Sequence, residues 1–218
     1  MNQQIKTILP LAAFAAVAMT GATQAAVILP TIDVPLTTVT EIGGYEIVKA
    51  VNSSGLTDPN LTPTIVLDDV NDNGATQWLS NGPMASEVVT FDLGGTYDVD
   101  SIHLWNYVAS NSTGDKWGVD TVDISFSTNG TDFLNTEALS FDDATTNGAP
   151  TGPSTAQTRT FSSTQSGVTH IQLNNFKSFE VGNLVGIGEI RFGEAVPEPS
   201  TTALLGLGGL ALILRRRK

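Results

Sequence analysis

The fold is best predicted from residues 86–133, SEVVTFDLGGTYDVDSIHLWNYVASNSTGDKWGVDTVDISFSTNGTDF. Apolar and polar residues alternate in three runs that begin at Val89, Ile102 and Val122. Alternation with a period of two predicts strands that bury one face. Gly94-Gly95 is expected to end the first run. Asn129-Gly130 after the third predicts a two-residue hairpin, because both central residues of a type I′ turn need positive φ. The sheet is therefore expected to be antiparallel at this turn.

Length and composition limit the class of protein. The 218 residues suffice for one sizeable domain plus terminal signals. The absence of cysteine excludes a disulfide framework and a thiolate zinc site, so a large apolar core is needed. Between Val27 and Ala195 there are five basic and 21 acidic residues, a net charge of −16. That charge disfavours nucleic acids and anionic membranes as partners and leaves divalent cations and neutral sugars.

The N-terminus, residues 1–25, has the features of an export signal. A basic Lys6 precedes an alanine-rich apolar run, and Thr23-Gln24-Ala25 places small residues where a signal peptidase cleaves. A buried N-terminal helix is disfavoured, because Pro10 interrupts the segment and it has almost no polar face. Signal removal after residue 25 is therefore expected.

The C-terminus, residues 195–218, resembles the PEP-CTERM sorting signal of Gram-negative bacteria. It combines Pro197-Glu198-Pro199, a short apolar run and the basic end Arg215-Arg216-Arg217. A helix over 203–214 would reach about 18 Å, against about 30 Å of bilayer hydrocarbon, which suits a temporary stop in the inner membrane. The basic end is expected to stay cytoplasmic. The resemblance implies cleavage by an exosortase and delivery to the cell surface or exopolysaccharide matrix; the alternative is a tail-anchored membrane protein that is never cut.

The body between the two signals predicts an all-β protein. Residues 26–44, rich in Thr and Pro, are expected to form an irregular lead-in to a domain at 45–194. Beyond the quoted stretch, the strand candidates are 46–54, 139–141, 158–162, 168–173 and 188–192. No repeat and no long helical pattern occurs, so a two-sheet antiparallel jelly-roll sandwich accounts for the body.

One loop carries a dense set of oxygen ligands. Asp69, Asn71, Asn73 and Gly74 match the first half of a calcium loop, but Ser80 stands where an EF-hand has its bidentate Glu. An EF-hand is therefore not supported. Two interpretations stay open, a structural Ca²⁺ loop and an Asx-rich turn whose side chains cap its own backbone.

As a whole the body resembles the discoidin, or F5/8 type C, galactose-binding-like family. Four segments between Glu46 and Phe192 carry the resemblance. They are the acidic loop ending Thr76-Gln77-Trp78, VTFDLGG followed by IHLWNY, VDISFSTNGTDF, and the pair VTHIQL and GIGEIRF. The resemblance implies a β-sandwich that often binds carbohydrate and calcium.

The family's calcium position, carried over to this sequence, implies Thr76, Glu189 and either Asp69 or Asp72 as ligands. The loop is longer than the family pattern, which leaves the choice of Asp open. Burying Glu189 in the last strand without a cation would be costly, which favours Ca²⁺. The ion is expected to be structural and not catalytic.

Sugar-binding modules stack a flat aromatic on a pyranose, and three tryptophans are candidates. Trp78 is expected in the core, and Trp105 on either an exposed platform or a face covered by the lead-in. Trp117 follows Gly114-Asp115-Lys116 in a loop, where a bulky aromatic is harder to bury. The predicted ligand contacts are Trp117, Lys116, Asn106 and Tyr107. Isolated exposed aromatics are also common without a ligand.

Catalysis is disfavoured, because no GxSxG, HExxH or cysteine nucleophile occurs. His103 and His170 lie within predicted strands opposite the aliphatic residues, where a surface or capped histidine is the ordinary case. The leading hypothesis is an exported, non-catalytic carbohydrate-binding sandwich. The alternatives are a structural matrix protein without a glycan site and, more remotely, a hydrolase using paired carboxylates such as Asp98 and Asp100.

Overall fold

The structure, a computed structural model, describes residues 26–53, 56, 76–82, 84–108, 114–143, 155–179 and 184–196. These ranges contain eight strands and, as helical elements, four 3-10 turns of three to five residues. The strands are β1 (Val27–Ile28), β2 (Thr31–Ile32), β3 (Trp78–Leu79), β4 (Val89–Asn106), β5 (Val119–Ser127), β6 (Leu134–Ser140), β7 (Gln157–Ser178) and β8 (Gly186–Glu194). The 3-10 turns are Val34–Leu36, Ile47–Val51, Met84–Ser86 and Gly114–Trp117. The all-β prediction is confirmed.

The strands form two antiparallel layers that share their two longest members. In one layer β2 pairs with the first half of β4, which pairs with the second half of β7, followed by β5 and β6. In the other, β1 and β3 pair with β8, which pairs with the second half of β4 and then the first half of β7. Because β4 and β7 pass from one layer to the other, the two layers are covalently continuous.

Aromatic side chains from the two layers meet in the core. The rings of Phe91 and Phe192 lie edge to face with centroids 5.5 Å apart, those of Phe126 and Phe161 are 4.9 Å apart, and those of Trp78 and Phe176 are 5.9 Å apart. Each pair joins a residue of one layer to a residue of the other. Edge-to-face pairs add about 0.5–1.5 kcal/mol each beyond the area they bury. These contacts define a β-sandwich, as the sequence predicts.

The boundary predicted at Gly94-Gly95 is wrong, because β4 continues through both glycines. The β4–β7 pairing shifts register between Asp92 and Tyr97, and Gly94 has a φ of 70°. Glycine adopts this left-handed conformation without a Cβ clash. The glycines therefore permit the irregularity at which β4 changes layer, and they do not end the strand.

The β5–β6 hairpin is confirmed, but its turn is longer than predicted. Six residues, 128–133, separate Ser127 from Leu134, and within them only Gly130 has positive φ, at 77°. The side chain of Asn129 accepts hydrogen bonds from the N–H groups of Thr131 and Asp132, both at 2.9 Å. Asparagine therefore acts here by capping the turn and not by adopting positive φ.

The strand predicted at residues 46–54 is wrong. Ile47–Val51 forms a 3-10 turn that buries Ile47 and Ala50 and leaves Val48 exposed. The buried positions are three residues apart, which is the spacing of a helical turn and not of a strand. The lead-in at 26–44 is more ordered than predicted, because its residues 27–28 and 31–32 add the short strands β1 and β2 to the two layers.

Both terminal signals, residues 1–25 and 197–218, lie outside the described residues, as does the predicted helix over 203–214. Among the residues that the structure does describe, no helix has the length and apolar character needed to cross a membrane. β1 and β8 are paired, and the Glu194 N–H donates to the Ala26 carbonyl at 2.8 Å. The body therefore begins and ends at neighbouring positions of one sheet.

Candidate functional site

The predicted ligand residues gather at one end of the sandwich, where β4 ends and β5 begins. The 3-10 turn Gly114–Trp117 leads directly into β5, and Trp117 is half-buried. Ser178 at the end of β7 and Gly186 at the start of β8 lie at the same end, as their pairings with Val119 and Leu79 show. We call this region the loop end.

Trp117 rests on a row of tyrosines. Its ring centroid lies 6.3 Å from that of Tyr107, which lies 6.4 Å from that of Tyr45. Tyr107 is fully buried, and a Cβ on Gly186 would come within 2.7 Å of its ring. Because glycine at position 186 has no Cβ, the Tyr107 ring can pack directly against the backbone there. This packing fixes the orientation of the partly accessible Trp117, as a stacking platform requires.

Asn106 is a buried clamp between β4 and β5. Its amide N–H donates to the Val119 carbonyl at 2.8 Å, and its amide oxygen accepts from the N–H groups of Val119, at 2.6 Å, and Tyr107, at 3.2 Å. A Cβ on Gly118 would lie 2.6 Å from that oxygen, so this approach needs glycine. Asn106 thereby sets the position of the chain immediately after Trp117.

Gln77 is a second clamp of the same kind, whose role the sequence analysis missed. Its side chain donates to the Val108 carbonyl at 2.8 Å and accepts from the Val108 N–H at 2.9 Å. Gln77 is 1 % exposed. A buried amide that pairs with both the N–H and the C=O of one residue satisfies its own hydrogen-bonding groups and fixes the backbone position of that residue. The two clamps fix the chain at Val108 and at Val119, on either side of residues 109–113, which lie outside the described residues.

The four predicted ligand residues therefore separate into two pairs. Trp117 and Lys116 are accessible, and the Lys116 ammonium forms an ion pair with the carboxylate of Asp143. Asn106 and Tyr107 are 1 % and 0 % exposed. Their burial leaves no surface for a ligand, so their geometry is that of supports beneath Trp117. Sequence alternation could not separate the pairs, because Asn106 is the last residue of β4 and Tyr107 follows it, and both are buried where the chain leaves the strand.

The predicted metal ligand Glu189 lies in β8, fully buried, in an ion pair with the equally buried Arg191. The other Glu189 carboxylate oxygen accepts from the Ser53 N–H at 3.1 Å. Arg191 donates to the Ser53 hydroxyl and to the Ile190 carbonyl, each at 2.6 Å. Glu189, Arg191 and Ser53 thus form one buried polar cluster beneath the chain that leaves the 3-10 turn at residues 47–51.

Burial raises the pKa of Glu189 to about 7, opposed by the charge of Arg191 and the hydrogen bond from Ser53. A Glu189 buried without a cation would favour a bound calcium ion. Arg191, two residues along the same strand face, supplies that cation. The described residues contain no cluster of three or more His, Cys, Asp or Glu side chains that could hold a metal.

The other predicted metal ligands are only partly visible. Asp69 and Asp72 lie outside the described residues. Thr76 is described and lies two residues before Trp78, which pairs with Ile187. If the β3–β8 register is extended by two residues beyond β3, Thr76 comes opposite Glu189. The calcium site at Thr76, Glu189 and one of the two aspartates stays a prediction.

The remaining candidates have structural positions. Trp78 is fully buried, as predicted, and Trp105 is 1 % exposed, covered by Leu56 and Ala156 and not by the lead-in. His103 is buried with its Nδ1 2.8 Å from the Thr158 hydroxyl, and burial lowers its pKa. His170 is half-buried, with its Nε2 3.5 Å from an Asp33 carboxylate oxygen.

Comparison with known proteins agrees with the sorting signal and the fold. Residues 195–218 match the PEP-CTERM protein-sorting motif. Such a motif implies export and surface association. No curated protein matches the sequence.

Solved structures share the sandwich at low sequence identity. A fucose-binding module of Streptococcus pneumoniae, SpX-3, is similar with a TM-score of 0.50 and 10 % identity over 78 % of this chain and 99 % of that chain. A family 32 carbohydrate-binding module from C. perfringens NanJ, solved in complex with galactose, has a TM-score of 0.49 and 16 % identity over 78 % and 99 % of the two chains. An F5/8 type C domain from Bacteroides fragilis has a TM-score of 0.48 and 14 % identity over the same shares. The chain therefore has the galactose-binding-like β-sandwich fold and ends in a PEP-CTERM motif.

Proposed function

We propose that this protein is an exported, surface-associated and non-catalytic module that binds polysaccharide at the loop end of its sandwich. The observation that carries the proposal is Trp117, a partly accessible aromatic held in place by the buried Tyr107 at the loop end. An aromatic fixed in advance loses little conformational freedom when a sugar stacks on it. Sugar complexes of proteins with this fold support the ligand class.

The two accessible residues have separate roles in this proposal. Trp117 stacks on the apolar face of a pyranose. Lys116 donates to sugar hydroxyls from the rim, where its side chain keeps 40 % exposure despite its ion pair with Asp143. Asn106 and Tyr107 position Trp117 without touching the ligand. The strongly acidic body favours neutral over anionic polysaccharide, because like charges repel.

Export and processing complete the proposal. The protein crosses the inner membrane, pauses there through its C-terminal segment, and is cut near Pro197-Glu198-Pro199 by an exosortase-type enzyme, which leaves the body at the cell surface or in the matrix. Mass spectrometry of the mature protein from its native host tests this step. The expected species begins at Ala26 and lacks the basic end; a species that keeps residues 200–218 would support the tail-anchored alternative.

Binding to a panel of immobilised polysaccharides, including the exopolysaccharide of the host, tests the ligand site. Trp117→Ala is expected to weaken binding about fivefold to 150-fold, since stacking on one aromatic is worth about 1–3 kcal/mol by analogy with base stacking. Val34→Ala removes an aliphatic side chain that is 74 % exposed in the lead-in, and is expected to leave binding unchanged. Equal binding by wild type and Trp117→Ala would place the site elsewhere.

The second candidate is a structural matrix protein without a specific glycan site. The burial of Asn106 and Tyr107 favours it, because only two of the four predicted contacts remain accessible. Failure of the wild-type protein to bind any polysaccharide of the panel would support this candidate over the first.

The calcium prediction has its own measurement. If an ion bridges Thr76, Glu189 and Asp69 or Asp72, added Ca²⁺ raises the melting temperature above that measured in EDTA, and Asp69→Asn combined with Asp72→Asn abolishes the rise. An unchanged melting temperature on calcium addition would leave Arg191 as the cation that compensates Glu189, together with the hydrogen bond from Ser53.

A further inference from the structure

The opposite end of the sandwich has a groove that neither the sequence analysis nor the proposed function uses. It lies between the β5–β6 turn and the bend of β7 and has a volume of about 230 Å³. We call it the hairpin groove. Its main surfaces come from Phe126, Asp132, Leu134, Asn135, Gln165 and Val168.

The groove has an apolar floor and one exposed apolar wall. Phe126 and Val168 on the floor are 4 % and 1 % exposed and belong to the core. Leu134 at the start of β6 is 65 % exposed, an unusual state for leucine. An exposed leucine next to buried apolar residues offers a non-polar surface on which the C–H face of a sugar ring can pack.

The polar groups of the groove are fixed before any ligand binds. Asn135 has a φ of 54°, and its side-chain N–H donates to the Gln165 amide oxygen at 2.9 Å. The Gln165 amide N–H groups donate in turn to the carbonyl and hydroxyl of Ser163, at 3.0 and 3.1 Å. Gln165 is 6 % exposed, whereas Asn135 is exposed. A buried amide thus orients an exposed one, an arrangement that reduces the entropy lost on binding.

The charge of the groove selects against anions. Among the described residues that line it none is basic, and the carboxylate of Asp132 stands on its rim. Asp132 also accepts from the side chain of Asn129 at 2.8 Å, so one carboxylate oxygen is already oriented. A single carboxylate among amides and hydroxyls is a poor cage for Ca²⁺, which takes about six to eight oxygen ligands. It is a good acceptor for sugar hydroxyls.

We propose that the hairpin groove is a second binding site, for one neutral sugar ring. The ring packs its apolar face on Leu134, and its hydroxyls bond to Asn135 and Asp132. The volume lies below the roughly 300–1,000 Å³ of pockets for drug-sized ligands, which limits the site to a terminal or single residue of a glycan.

The two sites are at opposite ends of one strand. β5 begins two residues after Trp117 and ends at Ser127 in the groove, and the eight steps between its nine residues span about 26 Å at about 3.3 Å each. A ligand at one site therefore leaves the other accessible. One molecule that binds a sugar at each end would join two glycan chains. This bridging role rests on the proposed function, whereas sugar binding in the hairpin groove is independent of it.

The test uses the full-length chain with ¹³C-labelled Leu and Val methyl groups, titrated with galactose, fucose and N-acetylglucosamine and followed by NMR. At least one sugar is expected to shift the methyl signals of Val168 and Leu134 saturably. Leu134→Ala and Asn135→Gly are expected to weaken this titration at least about fivefold, as followed at Val168. Glycine is the choice at position 135 because it accepts the positive φ of that residue.

Matched variants separate the groove from the loop end and from general damage. Leu29→Ala removes a leucine that is 51 % exposed outside the groove, and the titration is expected to remain unchanged. Trp117→Ala is expected to leave it unchanged as well, even where that variant abolishes polysaccharide binding. Three results would each overturn the proposal: no saturable shift with any of the sugars, shifts insensitive to both groove substitutions, or equal shifts with glucuronate or calcium chloride.

Discussion

The loop end and the hairpin end of this sandwich are stabilised by polar groups of opposite exposure. At the loop end, the amides of Asn106 and Gln77 are buried and satisfy backbone groups that water cannot reach. At the hairpin end, Asn129 makes similar bonds to backbone N–H groups from an exposed position. The same chemistry therefore has different energetic consequences, because an exposed backbone group deprived of its partner bonds to water and a buried one does not.

The largest expected effect comes from removing one partner of the buried pair between Glu189 and Arg191. Arg191→Met leaves the Glu189 carboxylate buried without its counter-charge and is expected to lower the free energy of unfolding by about 3–5 kcal/mol. Chemical denaturation at about pH 9, above the Glu189 pKa of about 7, measures the loss. Asp98→Asn at the hairpin end is the control, because Asp98 is exposed and its carboxylate accepts from the Gly167 N–H, a bond that an amide oxygen can also accept. Equal losses in the two variants would contradict the expected dependence of the loss on burial.

The comparison of two asparagines is the next test. Asn106→Ala leaves the N–H and carbonyl of Val119 and the N–H of Tyr107 buried without these partners and is expected to cost about 3 kcal/mol or more. Asn129→Ala is expected to cost about 1 kcal/mol, as loss of an exposed cap does. Denaturation curves of both variants give the two values. A larger loss for Asn129→Ala would show that burial does not determine the size of the loss in unfolding free energy.

The pH dependence of stability tests the Glu189 environment. Its folded-state pKa of about 7 lies above the ordinary value of 4.5, so the folded protein retains a proton that the unfolded chain releases between those pH values. Stability from this group is therefore full below pH 4.5 and is lost as the pH rises through about 7. The slope is at most about 1.4 kcal/mol per pH unit.

Glu189→Gln removes this titration. Between pH 5 and 7 the free energy of unfolding of this variant is expected to fall less than that of the wild type, as measured by denaturation at several pH values. A wild-type protein that gains stability as the pH rises over this interval relative to Glu189→Gln would indicate instead that Arg191 holds the carboxylate ionised.

The smallest expected effect is that of the rim ion pair. Lys116→Met removes the partner of Asp143, and because the Lys116 side chain is 40 % exposed, the loss of unfolding free energy is expected to be below about 1 kcal/mol. The same variant is expected to weaken polysaccharide binding less than Trp117→Ala does. A thermal melt and the binding panel provide both values. A loss as large as that of Arg191→Met would show that this pair is structurally buried.

Much of the fold was predictable because alternation identifies strands and their apolar face. Val89, Phe91, Ile102 and Leu104 all lie in the core where the pattern places them, but Thr90 and Trp105 on the opposite face are buried too, so the prediction of a single buried face is wrong there. The pattern failed at Ile47 and Ala50, whose separation of three residues belongs to a turn. It also could not show that one strand spans both layers, since the layer change depends on how β4 and β7 bend together.

The candidate site was predictable in place but not in detail. Trp117 lies at a strand junction, as its loop position indicates, whereas the roles of Asn106 and Gln77 depend on backbone groups that approach from Val119 and Val108. Arg191 is visible in the sequence two residues after Glu189. Its function as the counter-charge became evident only when both side chains were seen buried together with Ser53.

Four properties follow from the amino-acid order alone, because each depends on composition or on nearest neighbours along the chain: the strand-forming pattern, the acidic charge, the lack of cysteine and the sorting motif at 195–218. Three others arise on folding: which polar side chains are buried, which charge compensates Glu189, and where a groove opens beside Leu134. These depend on contacts between residues far apart in the chain, and their energies are set by exclusion of water, which exists only once the two layers have packed.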